Sequence, residues 1–347
     1  MTNHGGDWVG FERTYGALPL DFSANTSPLG VPEAVRRAAE SSLAEADRYP
    51  DPLCRALREK LAAHHGVLAE WILCGGGAAD LIYRLAAARR PKTALVTAPT
   101  FSEYENALTL WGCAVSRLPL SESNGFAVTE DILSAITPGL EVVFLCEPNN
   151  PTGRTTDRSL LERILERCEA CGTLLAVDEC FNDLLDNPPA HTLLPLLQSH
   201  ENLLLLRAFT KSHGLAGLRL GYALSQNVSL LASMARSGPP WAVSAPAQAA
   251  GMAALEESLE PLRRLIRQER PRLAAGLAAL GCRVCPGEAN YLLFFHGAPE
   301  LVRRLSERGV LIRDCSNYHG LGNGWYRAAV RTEAENTRFL EIFKEVL

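Results

Sequence analysis

The chain has 347 residues, 47% of them hydrophobic, and a formal net charge of −5. That length supports a large α/β unit with a further domain, and the acidic balance argues against a general nucleic-acid binder. No apolar run is long enough to span a bilayer and no charged-then-apolar signal opens the chain, so a cytoplasmic protein with no membrane partner is expected, its ten cysteines reduced rather than paired.

Residues 1–30 read as an irregular arm. His4-Gly5-Gly6 is a polar start, and Asp21 to Gly30 is turn-rich with no helical period. Pro32 opens a helix, Arg48-Tyr49-Pro50-Asp51 breaks the chain, and a second helix follows with Leu53, Leu57 and Leu61 on one face. Trp71 to Cys74 is a short strand. It runs into Gly75-Gly76-Gly77-Ala78-Ala79-Asp80, and Leu81 to Ala88 is helical. Strand, glycine loop and helix together present free backbone N–H groups to an anion. A tight turn with no ligand is an equally good reading of the triplet alone.

Buried strands follow at Thr93 to Thr97, Val115 to Leu118, Glu141 to Cys146 and Leu174 to Val177, with a helix from Leu160 to Cys171. Polar groups fall where they end: Tyr104 after Pro99-Thr100-Phe101, Asn150 within Glu147-Pro148-Asn149-Asn150-Pro151-Thr152-Gly153, and Asp178 directly after Val177. A carboxylate in that position is partly desolvated and needs a cationic partner. The run Leu203 to Leu206 leads to Thr210-Lys211, with Arg219 eight positions further on. A lysine at the inner end of a buried strand is costly unless paired or used chemically. Desolvation lowers its pKa, and a neutral amine can form a Schiff base. Arg219 offers a fixed fork to an anionic oxygen group such as phosphate. An amine nucleophile beside a phosphate grip suits pyridoxal phosphate, although the same stretch alone also reads as a surface loop. Strands alternating with helices, with polar groups at the strand ends, define a mostly parallel sheet with a ligand at one edge.

Past Gly238-Pro239-Pro240-Trp241 the texture changes to a smaller α+β unit. One long helical region is expected from Ala245 to Ala279, with strands at 282–285, 290–295, 310–313 and 325–331 and helices at 299–308 and 333–346. The division expected is an arm (1–30), a large domain (31–237) and a small domain (238–347). Arg313 and Arg331 fall at strand ends that can face a shared cleft. Cys168/Cys171 and Cys282/Cys285 have Cys-x-x-Cys spacing. A shared zinc site needs both pairs to meet, so unengaged thiols are the simpler reading and no metal is expected.

With Asn149-Asn150-Pro151-Thr152-Gly153, Val177-Asp178-Glu179 and Thr210-Lys211 through Arg219 in this order, the chain resembles fold-type-I pyridoxal-phosphate enzymes of the aspartate aminotransferase superfamily. Within it the sequence is similar to the histidinol-phosphate aminotransferases and, more closely, to the threonine-phosphate decarboxylases of cobalamin biosynthesis. The closer likeness rests on His4-Gly5-Gly6, Asp21-Phe22-Ser23-Ala24-Asn25, Pro28-Leu29-Gly30, Glu288 to Leu293, Ile312 to Leu321, Tyr326-Arg327 and Val330-Arg331. The resemblance implies that Lys211 carries the cofactor covalently, Asp178 keeps its ring nitrogen protonated, Asn150 serves the ring oxygen and Tyr104 stacks on the ring. Gly77, Ala78, Thr210 and Arg219 would bind the cofactor phosphate, and Tyr49 that of a neighbouring subunit in a homodimer. His4, Gly5, Asn25, Asn150, Arg313 and Arg331 would bind a small phosphorylated amino acid. Ala208 and Phe181 depart from the common pattern, each removing a hydroxyl, and the loss at Phe181 favours a decarboxylase over an aminotransferase.

Overall fold

The computed structural model describes residues 4–347. Seven strands form the main sheet, in the spatial order Ile72–Gly75, Gly221–Leu224, Leu203–Ala208, Leu174–Asp178, Val142–Cys146, Thr93–Ala98 and Ala114–Pro119. The last five run parallel, while Gly221–Leu224 is antiparallel to both of its neighbours. The central strands are continuous apolar runs because both faces are covered. Leu175, Val177, Leu203 and Leu205 point into one core layer with the helices Arg55–His65, Arg158–Cys171 and Ala245–Ala254. Ala176, Leu204 and Leu206 point into the other, with Ala78–Arg89, Glu103–Thr109 and Val228–Arg236.

The smaller sheet is antiparallel, in the order Arg313–Asp314, Trp325–Ala329, Tyr291–Phe295 and Arg283–Val284. The helices Glu260–Ala279, Leu301–Glu307 and Glu333–Val346 back it around Phe294, Phe339 and Phe343. Thr332 and Glu335 form a capping box that starts the last helix.

Three expectations change. The arm is not wholly irregular: Trp8–Tyr15 is helical, capped by Asp7, whose side chain accepts from the Gly10 N–H at 3.0 Å. Only Phe11 of this helix is buried, so no apolar stripe marks it in the sequence. Its Trp8 indole donates to Asp21 at 2.6 Å, and Leu20–Asp21 pairs in parallel with Val310–Leu311. The arm is thereby fastened to the small unit, where Phe22 stacks on Phe339 at 4.4 Å. Secondly, the long helical region divides into Ala245–Ala254 and Glu260–Ala279. The first of these packs on Glu33–Ser42 and Arg55–His65 in the large core, so the boundary expected at 237/238 lies beyond residue 254. Thirdly, the strand expected over 310–313 is two short pairs, Val310–Leu311 and Arg313–Asp314, each bound to a different partner.

Beneath the strand ends lies a buried ion pair. Arg207 Nη2 and Nε donate to Glu179 Oε2 at 2.6 and 3.1 Å, and Arg207 Nη1 reaches Asp183 Oδ1 at 3.1 Å. Glu179 also accepts from the Thr192 hydroxyl at 2.8 Å and the Leu193 N–H at 2.9 Å. It fixes the backbone just after Asp178. Removing one member leaves a buried charge unpaired, which costs about 3–5 kcal/mol. Glu179→Ala is therefore expected to lose stability toward the lower end of that range, because Asp183 remains beside Arg207. Urea unfolding measures this, and a loss under about 1 kcal/mol shows that the pair is not structurally required.

Candidate active site

A cavity of about 430 Å³ opens where the parallel strands end and the small sheet approaches. Lys211, Asp178, Asn150, Thr210, Arg219 and Ala78 line it from the large unit, Arg313 and Arg327 from the small sheet, and His4, Gly5 and Asn25 from the arm. The sequence gives every one of these a site role except Arg327, which it offers only as part of the motif Tyr326-Arg327.

Asp178 ends the strand Leu174–Asp178 and is 5% exposed. Its Oδ2 accepts from the Tyr104 hydroxyl at 2.8 Å and its Oδ1 from the Cys180 N–H at 3.0 Å. Lys211 sits in the short helix Phe209–Ser212 that follows the strand Leu203–Ala208, and its carbonyl accepts from the Ser27 N–H at 2.9 Å. Burial, reinforced by the Arg327 charge, lowers the Lys211 amine from its ordinary range to about 8. A minority of this amine, about a tenth at pH 7, is then neutral and nucleophilic, far more than for an ordinary lysine.

The phosphate-binding expectation has a geometric basis. The helix Ala78–Arg89 begins at Gly77 with no side-chain cap, so its first N–H groups are open to an anion. Gly77 has φ +94°, and a Cβ there would stand 2.8 Å from Arg219 Nη2. Glycine is needed both for that backbone and for the approach of the guanidinium. Arg219 itself holds a left-handed backbone, φ +57°, which is unusual for a branched polar chain and marks a site where conformation is imposed by surroundings. Gly77 does not line the cavity; it lets Arg219 do so.

Two expected roles are corrected. Arg331 does not line the cavity: its Nε and Nη2 donate to Glu335 Oε1 at 2.9 and 2.7 Å. The strand ends at Ala329, so Arg331 falls in the turn that begins the last helix and is drawn to the capping glutamate. Arg327 takes its place. It lies opposite Arg313 in register on the adjacent strand, and donates to Asn150 Oδ1 and, at 2.8 Å, to the Ser23 carbonyl. The signal for it was strand alternation: the register that turns Arg313 into the cleft also turns its cross-strand partner there. Tyr104 is fully buried, stacks on Phe144 at 4.9 Å and does not line the cavity. It holds Asp178 from behind, while Phe101 and Phe181 supply the aromatic lining. Tyr49 lies outside this chain's own cavity, 79% exposed and stacked on Trp241 at 4.5 Å.

The sequence reading also assigned no role to Glu103, Ser23, Cys146, Cys180 or Tyr318, all of which line the cavity. Cys180 is held by its backbone next to Asp178, and burial raises its thiol well above the ordinary range. The cysteines are free thiols, and among the described residues no cluster of His, Cys, Asp or Glu could hold a metal ion. Nor is any described helix long and apolar enough to cross a membrane.

Fold and site together define a lysine-based pyridoxal-phosphate architecture of fold type I. The chain belongs to the aminotransferase class I and II family, which matches residues 19–343. It is 40% identical to the threonine-phosphate decarboxylase of Salmonella typhimurium, over 99% of this chain and 96% of that protein. It is 35% identical to the histidinol-phosphate aminotransferase of Symbiobacterium thermophilum, over 94% and 90% respectively. The crystal structure of L-threonine-O-3-phosphate decarboxylase from Porphyromonas gingivalis superposes with a TM-score of 0.81 at 26% identity, over 94% of this chain and 98% of that one.

The lowered amine predicts a pH profile. Lys211 is mostly protonated below its value of about 8 and mostly neutral above it, and only the neutral form attacks an aldehyde. Capture of added pyridoxal phosphate by cofactor-free protein, followed by absorbance, is expected to accelerate as pH rises through 8 and to level off above about 9. A rate still climbing past about pH 10 would match an ordinary lysine and contradict the assigned environment.

Proposed function

We propose that this chain decarboxylates L-threonine O-3-phosphate to (R)-1-amino-2-propanol O-2-phosphate and carbon dioxide in cobalamin biosynthesis, using pyridoxal phosphate. The observation that carries this reading is the pairing of Arg313 and Arg327 in one cavity with Lys211 and Asp178. Two buried arginines suit a substrate bearing both a carboxylate and a phosphate. The similarity to a threonine-phosphate decarboxylase across 99% of this chain supports the same reading.

The residues present fit the cofactor. Lys211 would hold it, Asp178 would keep a proton on its ring nitrogen, and Asn150 would donate to its ring oxygen. Arg219, Thr210 and the open helix start at Ala78 would bind its phosphate. When bound, the protonated ring supplies a sink for the electron pair left at Cα as carbon dioxide departs. Tyr104 and the Cys180 N–H hold the Asp178 carboxyl in place for that purpose. Lys211, released as substrate binds, would return a proton to Cα.

The choice of bond is made by orientation. Arg313 and Arg327 fix the anionic ends of the substrate, and with them which Cα bond stands perpendicular to the ring. We place the enzyme in the cytoplasm as a homodimer. The stacked, exposed Tyr49 and Trp241 would be covered there, and Tyr49 of the partner subunit would reach this subunit's cofactor phosphate.

The test is product formation. Purified enzyme given threonine phosphate is expected to release carbon dioxide; serine phosphate, one methyl smaller, is expected to react with a kcat/KM lower by about 10–200-fold. The 35% identity to a histidinol-phosphate aminotransferase makes amino transfer from histidinol phosphate to 2-oxoglutarate the competing outcome, and that result with no carbon dioxide would replace the assignment.

The arginine correction makes a separate prediction. Arg327→Ala removes a charge-assisted contact of about 1.5–3 kcal/mol and is expected to raise KM about 10–100-fold. Arg331→Ala breaks only the Glu335 pair and is expected to leave KM within about twofold. The opposite ranking would restore Arg331 to the site.

A further inference from the structure

His4 and Gly5 lie on the cavity wall, at the end of the arm furthest from the sheet that anchors it. Several contacts hold this end down, among them the His4 ring against Phe101 with centroids 5.9 Å apart. The Gly6 N–H donates to Ser23 Oγ at 2.8 Å, and Gly5 approaches Ser23 so closely that a Cβ would stand 2.2 Å from its carbonyl oxygen. A polar contact also crosses the cleft: His4 Nε2 lies 2.9 Å from Glu103 Oε1.

Glu103 begins the helix Glu103–Thr109 of the large unit, and its carboxylate is fixed from several sides. Oε2 accepts from the Tyr83 hydroxyl at 2.7 Å; Oε1 accepts from Asn106 Nδ2 at 3.0 Å and Ser102 Oγ at 3.3 Å. Its side chain is 14% exposed while that of His4 is 47% exposed. The rigid member of the pair is therefore the carboxylate, and the imidazole comes to it. Burial pushes the Glu103 carboxyl up, but the Tyr83, Asn106 and His4 contacts outweigh that and hold it below its usual range. An acid on the wall of a cavity that receives anions repels them, so its place there needs a compensating use.

We infer that Glu103 is a positioning residue: it latches the arm across the cleft and fixes the direction of the His4 imidazole on the cavity wall, where it would meet the phosphate of the substrate. The step rests on the proposed function in one respect, that the anion is the substrate's phosphate. A carboxylate bound to one ring nitrogen fixes the direction of the ring, so less rotational freedom is lost when the ring meets an anion. The latch also joins two bodies, because the arm is paired to the small unit through Leu20–Asp21 while Glu103 belongs to the large one. Closing the arm and orienting its histidine are then one event.

Glu103→Gln keeps the shape and removes the charge. In the full-length holoenzyme without substrate, amide exchange over residues 5–15 is expected to be faster in this variant than in wild type. With threonine phosphate, KM is expected to rise about tenfold, more than kcat falls, the size of one charge-assisted hydrogen bond. In a His4→Ala background the same substitution is expected to change KM by less than about twofold, because its partner is already gone. Unchanged exchange over residues 5–15, or KM effects that multiply independently in the double variant, overturns the latch. An unaltered cofactor absorbance shows that the variant is folded. Absence of carbon dioxide release by wild type would refute the reaction assigned above, while the exchange measurement would still decide the latch.

Discussion

Arg313 and Arg327 stand opposite each other on adjacent antiparallel strands, both buried. Like charges in that arrangement repel, and burial sharpens the repulsion. Arg327 donates to the Asn150 amide oxygen and the Ser23 carbonyl, and among the acceptors of Arg313 are Asn317 at 2.8 Å and the Asp314 carbonyl. An anion with two acidic groups would relieve the repulsion between the two guanidiniums. The field of Arg327 also reaches Lys211, where it is the largest charge lowering the amine after burial itself.

The large sheet supplies the opposite requirement, an acidic side chain held in place where little water reaches it. Asp178 satisfies it through position. The strand carries it to the edge of the core, Tyr104 donates from behind, and the next residue but one donates a backbone N–H. Tyr104 does this well because its ring is locked against Phe144, with the planes within 9° of parallel. A side chain free to stack on a ligand would hold Asp178 less firmly. The same logic places the Arg207–Glu179 pair one residue further on, where it stiffens the turn leading away from Asp178.

Most of the fold was legible because the central strands are apolar on both faces and their ends are polar. Leu203 to Leu206, Leu174 to Val177 and the motifs at their ends needed only periodicity and strand-end chemistry. Gly221–Leu224 was not read as a strand, since four residues beginning with glycine carry little pattern. The helix Trp8–Tyr15 was missed for lack of an apolar stripe. The Arg331 error has a clear origin. Alternation puts residues 327, 329 and 331 on one side only while the strand lasts, and it stops at Ala329. Glu103 carried no signal at all, because an acidic residue in a first helical turn has an ordinary explanation in the helix dipole. What distinguishes it is the set of partners from Tyr83 and His4, and those contacts span 20 and 99 residues of sequence.

The arrangement around Asn150 shows how the arginines act on the cofactor as well as on the substrate. An asparagine amide can face either way, and its role as a donor to a ring oxygen requires the nitrogen end to face the cofactor. Arg327 settles this by taking Oδ1, which leaves Nδ2 as the end available to the cavity. Phe181, whose ring lies 5.8 Å from the Lys211 amine, brings no hydroxyl to share that task. Asn150 would then be the donor on which the ring oxygen depends, its orientation set by an arginine that would also bind substrate. The donor to the cofactor and the contact to the substrate would be linked through one side chain, Arg327, and that linkage is consistent with bond selection by geometry.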